Sequence, residues 1–274
     1  MKQQTIKHAV NVEGIGLHSG KQVKMHLKPA RSNTGIVFRR SDQNLPDIKV
    51  DPFIVQAAPL CTLLVKGNNQ IATVEHLMAA LSALSIDNIL IELNAPEIPV
   101  MDGSSEPFCF LLKAAGIKKL TVDRKLLTIA KPIRVEDGDS YAMLIPHDGM
   151  RFEVSIDFPH PVIQASPQAV SFDLDEELFI KTVSRARTFG FVKDIEKLHQ
   201  QNRALGASLD NAVGLDANSV VNPEGLRYQD EFARHKLLDA IGDMYVAGAI
   251  KGLYQAHKPS HALNNKLLRA VLEN

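Results

Sequence analysis

The sequence predicts an α+β fold. Short segments that alternate polar and apolar residues recur along the whole chain. Between them lie helical segments that are apolar around most of their girth, with no regular strand–helix–strand alternation. The order of elements is loosely similar in two halves, although no residue-level repeat is visible. A charged stretch without periodicity, Lys118 to Lys125, marks the expected boundary near residue 123. The expected units are therefore residues 1–123 and 124–274.

In chain order, Thr5 to Val12 reads as a strand, followed by the glycine-rich turn Glu13-Gly14-Ile15-Gly16-Leu17-His18-Ser19-Gly20. The next segment, Lys21 to Leu27, alternates and is a strand, so the glycines close a hairpin and not a dinucleotide-binding turn. Ile36-Val37-Phe38 is a third strand, and Asp47 to Val65 holds further short ones. Thr73 to Leu84 is a helix that Thr73 can cap. Its ionisable groups, Glu75 and His76, lie together in the first turn. Ile89 to Leu93 is a strand, Asn94 to Ser105 a loop, and Phe108 to Ala115 a helix stopped by Gly116. The second half opens with strands at Leu126–Ile129, Ile133–Val135, Tyr141–Ile145 and Phe152–Phe158. Helices follow at Leu174–Ser184 and Ile195–Asn202, and Gly206 to Gly214 is expected to be a strand. Glu231 to Val246 is a long helix, Gly252 to His257 a strand, and a last helix runs through Val271.

Composition bounds the function. Net charge is zero and aromatic content is 5%, which argues against a nucleic-acid protein working by bulk electrostatics or base stacking. Two cysteines, Cys61 and Cys109, make no disulfide framework and fit a reducing compartment. The N-terminus has no apolar signal core, and no run approaches the roughly 20 apolar residues of a membrane span. A cytoplasmic protein is expected, acting as a monomer.

The helix from Glu231 to Val246 organises the chemistry. At about 100° per residue, with His235 at the origin, Asp239 falls near 40° and Asp243 near 80°. Leu237, Leu238, Ala240, Ile241, Met244 and Tyr245 cover most of the remaining circumference, so the helix is buried with a narrow polar stripe. Buried imidazole and carboxylate need partners. The i, i+4 pair His235 and Asp239 can reach one ion of zinc type; it can equally be a His–Asp hydrogen bond. For Glu75 and His76 the alternatives are likewise open. They can flank one ion, or Glu75 can favour the helix dipole while His76 bonds a backbone carbonyl.

Five motifs in order carry a resemblance. They are Thr73-Val74-Glu75-His76-Leu77; Asn94-Ala95-Pro96-Glu97-Ile98-Pro99 with Met101-Asp102-Gly103-Ser104; Ser184-Arg185-Ala186-Arg187-Thr188-Phe189-Gly190; Arg234-His235-Lys236-Leu237-Leu238-Asp239-Ala240-Ile241-Gly242-Asp243; and Ser260-His261-Ala262-Leu263-Asn264-Asn265. Together with Gly14-Ile15-Gly16-Leu17-His18 they closely resemble the UDP-3-O-acyl-N-acetylglucosamine deacetylases, zinc enzymes of lipid A biosynthesis in Gram-negative bacteria. The likeness covers essentially the whole chain. It departs at the short C-terminus, which bears on a regulatory tail and not on the chemistry.

The resemblance implies two similar α+β domains, each a sheet layered with helices, with the active site in the cleft between them. It implies one Zn2+ held by His76, His235 and Asp239, with cobalt or ferrous iron able to use the same ligands. Glu75 is implied as general base, His261 as the cationic partner of the oxyanion and leaving amine, and Asp243 as the group that keeps His261 charged. Thr188 resembles the hydroxyl that bonds the oxyanion, and Lys236 is expected to add positive charge there. The segment 189–215, with Phe189, Phe191, Ile195, Leu198 and Leu205, is implied to pass the acyl chain; ordinary core is the alternative reading. His18 and Lys258 are candidates for the UDP head. The implied partner is the acylated UDP-sugar alone, with no nucleic acid and no membrane span. Two rival readings share these residues: a zinc amidase for another acylated sugar or a peptide, and a metal-stabilised binding module without catalysis.

Overall fold

The computed structural model describes every residue except Pro59 and Asn274. The first half runs β1 (Lys2–Ile6), β2 (Val10–Ile15), β3 (Gln22–Pro29), β4 (Ile36–Arg40), β5 (Ile48–Lys49), β6 (Val55–Ala58), β7 (Cys61–Lys66), β8 (Asn69–Ala72), α1 (Glu75–Ala83), β9 (Ile89–Leu93), α2 (Glu106–Ala115) and β10 (Ile117–Asp123). The second runs β11 (Leu127–Thr128), β12 (Ile133–Asp137), β13 (Ser140–Ile145), β14 (Met150–Ser155), α3 (Pro161–Ala165), β15 (Ala169–Asp173), α4 (Glu176–Thr182), β16 (Phe189–Phe191), α5 (Ile195–Gln200), β17 (Val213–Leu215), α6 (Glu231–Met244), β18 (Ile250–His257) and α7 (His261–Leu272). Strands and helices mix without βαβ alternation, as an α+β chain should.

The two main sheets share one topology. The first has the order β2-β3-β9-β4-β5, and the second β12-β13-β18-β14-β15, with β11 added beside β18. In each order, the central strand runs antiparallel to the second strand and parallel to the fourth. In each, a largely buried helix (α1 or α6) leads into that central strand and a further helix (α2 or α7) follows it. Burial alternates along β18, with Ile250, Gly252, Tyr254 and Ala256 inward, the period-two pattern expected where one face is covered. One cluster of buried apolar side chains runs through both halves, from Ile6, Met25 and Phe38 to Leu237, Tyr254 and Leu268. A smaller cluster of Ile156, Ile163, Val213, Leu215 and Phe232 lies apart from it.

Several local expectations change. Thr5 to Val12 is not one strand: the N–H groups of Lys7 and His8 donate to the carbonyls of Gly116 and Ala115 at the end of α2, breaking the run after Ile6. The charged stretch after Gly116 is not irregular. It forms β10, which pairs antiparallel with β1 across a register shift, and that shift hides the alternation. Most of Gly206–Gly214 is turn, tied by Asn211, which accepts from Ser208 N and donates to Gly206 O at 2.9 Å each; only Val213–Leu215 is strand. Helix α3 and strand β15 form in a stretch whose sequence pattern predicts no element.

Candidate active site and metal centre

Helices α1 and α6 share the most extensive contact of any two elements among the described residues. Gly242 makes this possible. A Cβ there would overlap the carbonyl oxygen of Glu75, so only glycine lets the start of α1 lie against α6. Helix α1 does not start as expected. Thr73 has a positive φ of 61° and its hydroxyl donates to Glu97 at 3.0 Å, so it caps nothing. The whole of α1 is buried, Glu75 and His76 included.

His76, His235 and Asp239 converge from the two helices. One ligand atom from each lies within 4.8 Å of the others. Nε2 of His76 is 3.6 Å and Nε2 of His235 is 3.4 Å from Asp239 Oδ1. That oxygen is buried and has no hydrogen-bond partner among the described residues. His235 Nδ1 lies 3.0 Å from the carbonyl of Ala186, which can only accept, so Nδ1 carries the proton and Nε2 presents a lone pair. Burial pushes the His235 imidazole down to about 4, so it is neutral near pH 7. A lone pair and a carboxylate oxygen therefore face each other with no proton between them. A cation resolves this arrangement, and two nitrogens with one oxygen form a zinc-type donor set with room for further ligands. The other Asp239 oxygen accepts from Lys236 at 2.7 Å. Burial disfavours the Asp239 anion, yet the Lys236 ammonium beside it holds the carboxyl well below its usual range.

A second group lies next to the first. Glu75 accepts from the Thr62 N–H at 3.0 Å, and its other oxygen is 3.9 Å from His261 Nε2. Burial pushes the Glu75 carboxyl up. His261 Nδ1 donates to Asp243 at 2.8 Å. Burial alone would lower the His261 pKa, but Asp243 and Glu75 raise it to about 9, so this imidazole is charged at neutral pH. Asp243 also accepts from the Thr62 hydroxyl at 2.6 Å and from Asn264 at 2.8 Å. Tyr254 in turn donates to Asn264 at 2.5 Å. The His76–His235 pair, a buried carboxylate and an imidazolium thus sit at one helix crossing.

A family profile for LpxC, UDP-3-O-acyl N-acetylglycosamine deacetylase, matches residues 3–273. The chain belongs to this family. Proteins named UDP-3-O-acyl-N-acetylglucosamine deacetylase from Idiomarina loihiensis, Aliivibrio fischeri and Vibrio cholerae are similar to it. The first is 51% and the other two 50% identical, over 99% of this chain and 90% of each relative. The chain is a deacetylase, and no helix among the described residues is long and apolar enough to cross a membrane.

The remaining sites of interest in this deacetylase divide clearly. Phe189 lies beside the His76–His235–Asp239 group, its ring 6.2 Å from that of His235 and packed edge-on against Phe158 and Phe232. Phe191, Ile195 and Leu198 are half-buried, and Leu205 is 45% exposed, as are Val192 and Leu209 to similar degrees. Ordinary core does not leave so many large apolar groups open in one segment. Thr188 is half-buried and fixed through its backbone, with N–H to Gly103 O and its own carbonyl to Val213 N, both at 2.8 Å. The turn carrying His18 is pinned by buried Glu97, which accepts from the N–H groups of His18 and Ser19 at 2.8 and 2.9 Å. Lys258 is paired with Asp139 at 2.6 Å.

Sequence reasoning missed Thr62, Ala186 and Glu97 as parts of the site. It also missed the buried pair Arg187–Glu231, 3.0 Å apart, which ties the segment before Thr188 to the first residue of α6. Ala186, Arg187 and Glu97 lay inside the motifs that carried the resemblance. Thr62 had no signal at all.

Proposed function

We propose that the deacetylase hydrolyses the N-acetyl amide of UDP-3-O-acyl-N-acetylglucosamine to acetate and the free amine, the committed step of lipid A biosynthesis, with one zinc ion held by His76, His235 and Asp239. The observation that carries this reading is the buried, unpartnered Asp239 oxygen faced by two imidazole nitrogens. Zinc in such a donor set supplies Lewis acidity toward a carbonyl and toward water. The chain's own residues do the rest. Glu75 takes the proton from the attacking water, a role its buried, raised carboxyl suits. The His261 imidazolium stabilises the developing oxyanion and donates a proton to the departing amine nitrogen. Asp243 keeps that imidazole charged and aimed. The Thr188 hydroxyl and the Lys236 ammonium add donors at the carbonyl oxygen.

The open apolar side chains of 189–215 take the acyl chain, each buried methylene adding about 0.8 kcal/mol of binding. We divide the chain near residue 123 into two α+β units that meet at the site. The shared sheet topology supports this, as does the β1–β10 pairing that closes the first unit. We take the protein to be a cytoplasmic monomer. Both cysteines are buried and free, and all the ligands come from one chain.

The test is acetate release from UDP-3-O-acyl-N-acetylglucosamine before and after chelation, with metal analysis. Activity should vanish with chelator and return with about one zinc per chain, as a three-ligand catalytic site requires. Turnover indifferent to chelation would sink the zinc assignment. A bound metal with no turnover of this amide would shift the reading to another acylated substrate.

A further inference from the structure

Four residues from four elements close a ring of contacts beside the His76–His235–Asp239 group. Thr62 on β7 donates its hydroxyl to Asp243 Oδ1 at 2.6 Å. Asp243 on α6 accepts through its other oxygen from His261 Nδ1 at 2.8 Å. His261 on α7 turns Nε2 toward Glu75 Oε1 at 3.9 Å. Glu75 on α1 accepts the Thr62 N–H at 3.0 Å, which completes the circuit. Thr62 is the member that carries no charge. It is 3% exposed, and its carbonyl accepts from Thr73 N at 3.0 Å, fixing the entry to α1 as well.

We infer that Thr62 is a positioning residue for the deacetylation, setting the separation of Glu75 from His261 by holding Glu75 with its backbone and Asp243 with its hydroxyl. Two hydrogen bonds from one rigid strand residue fix two carboxylates relative to each other, and so fix the imidazole that one of them orients. A β-branched residue suits the task because its side chain has few rotamers to leave. This inference rests on the roles proposed above for Glu75 and His261.

The test uses Thr62→Val, which keeps the shape and the N–H but removes the hydroxyl, and Thr62→Ser, which restores it. The expected loss is roughly tenfold in kcat for Thr62→Val, the size of one hydrogen bond to a charged group, with KM and zinc content unchanged. Thr62→Ser should recover most of that loss. In an Asp243→Asn background the Thr62→Val step should cost less than about twofold, because the two residues act as one unit. A normal kcat in Thr62→Val overturns the inference. So does an undiminished loss in the Asp243→Asn background. Thr62→Ala carries the same reading if the valine variant is insoluble. Glu75→Gln and His261→Ala are assayed alongside. Full activity in either overturns the proposed roles themselves, whereas their loss beside a normal Thr62→Val removes only the inference.

Discussion

The two halves share a sheet topology but differ in what each inserts before its central helix. Ahead of α1 the first half places the three-stranded sheet β6-β7-β8. Ahead of α6 the second half places β16, α5 and β17. The first insert brings a buried polar residue, Thr62, to two carboxylates. The second brings half-buried and exposed apolar side chains, among them Phe191, Leu198 and Leu205. The same framework thus carries a polar insert that orders charges and an apolar one that leaves hydrophobic surface open. The equivalent helices α1 and α6 meet directly, so both inserts border one site.

The strongest way to break this arrangement is at the meeting of the helices. Gly242→Ala adds a Cβ where the Glu75 carbonyl stands, and backbone cannot rotate away as a flexible side chain could. The helices must separate, drawing His76 from His235 and Asp239. Overpacking of this kind costs roughly 1–3 kcal/mol in stability, and we expect loss of zinc binding with it. Metal analysis and thermal melting of the variant read both effects; a chain with full zinc content would show that the crossing tolerates more than its geometry suggests.

Replacing the carboxyl at the start of α1 leaves the framework intact and removes the proposed base. Glu75→Gln keeps an acceptor for the Thr62 N–H but abolishes proton uptake. With zinc retained, kcat should fall by about 10²–10⁴, the usual range for a general base. Equal activity with full zinc content would strip Glu75 of its proposed role.

How much of this site was legible depended on sequence distance. His235 and Asp239 share a helix face, so their convergence follows from i, i+4 geometry alone. Glu75 and His76 were visible as the ionisable groups of an apolar helix. That these two helices cross was not readable from either pattern, and the resemblance supplied it. Thr62 was invisible because its partner Asp243 lies 181 residues away and a threonine in a strand is ordinary. The cap assigned to Thr73 failed for a related reason: a distant buried carboxylate, Glu97, competed for the hydroxyl and won. Strand β10 was lost because two adjacent lysines and a register shift concealed its period.

On the α6 side a smaller effect is expected from Asp243→Asn, read through pH. In the folded protein the His261 pKa is raised from its ordinary 6.5 to about 9, against the lowering effect of burial, by Asp243 and Glu75. Removing the Asp243 charge lowers it, so the upper limb of the pH–kcat/KM profile should move from about 9 toward neutrality, by roughly one unit or more. The same shift links to stability. The folded-state pKa lies above the unfolded one, so the contribution is fully present below pH 6.5 and is lost as pH rises through about 9. Denaturant titrations of the wild type at pH 6 and pH 10 should differ in that sense, and Asp243→Asn should flatten the difference.

The mildest test addresses the apolar insert. Leu198→Ala removes three carbons from a half-buried side chain on α5. If 189–215 holds the acyl chain, the lost contacts affect ground state and transition state alike. KM for the acylated substrate should rise by roughly three- to tenfold at unchanged kcat, a fraction of the transfer energy of those carbons. Thr62→Val in the polar insert is expected to do the reverse, lowering kcat at unchanged KM. A short-acyl analogue sharpens the contrast, because it lacks the atoms that Leu198 would touch and should not distinguish Leu198→Ala from wild type. If both substrates respond equally to Leu198→Ala, the open apolar groups serve the fold and not the ligand, and the division of labour between the two inserts disappears.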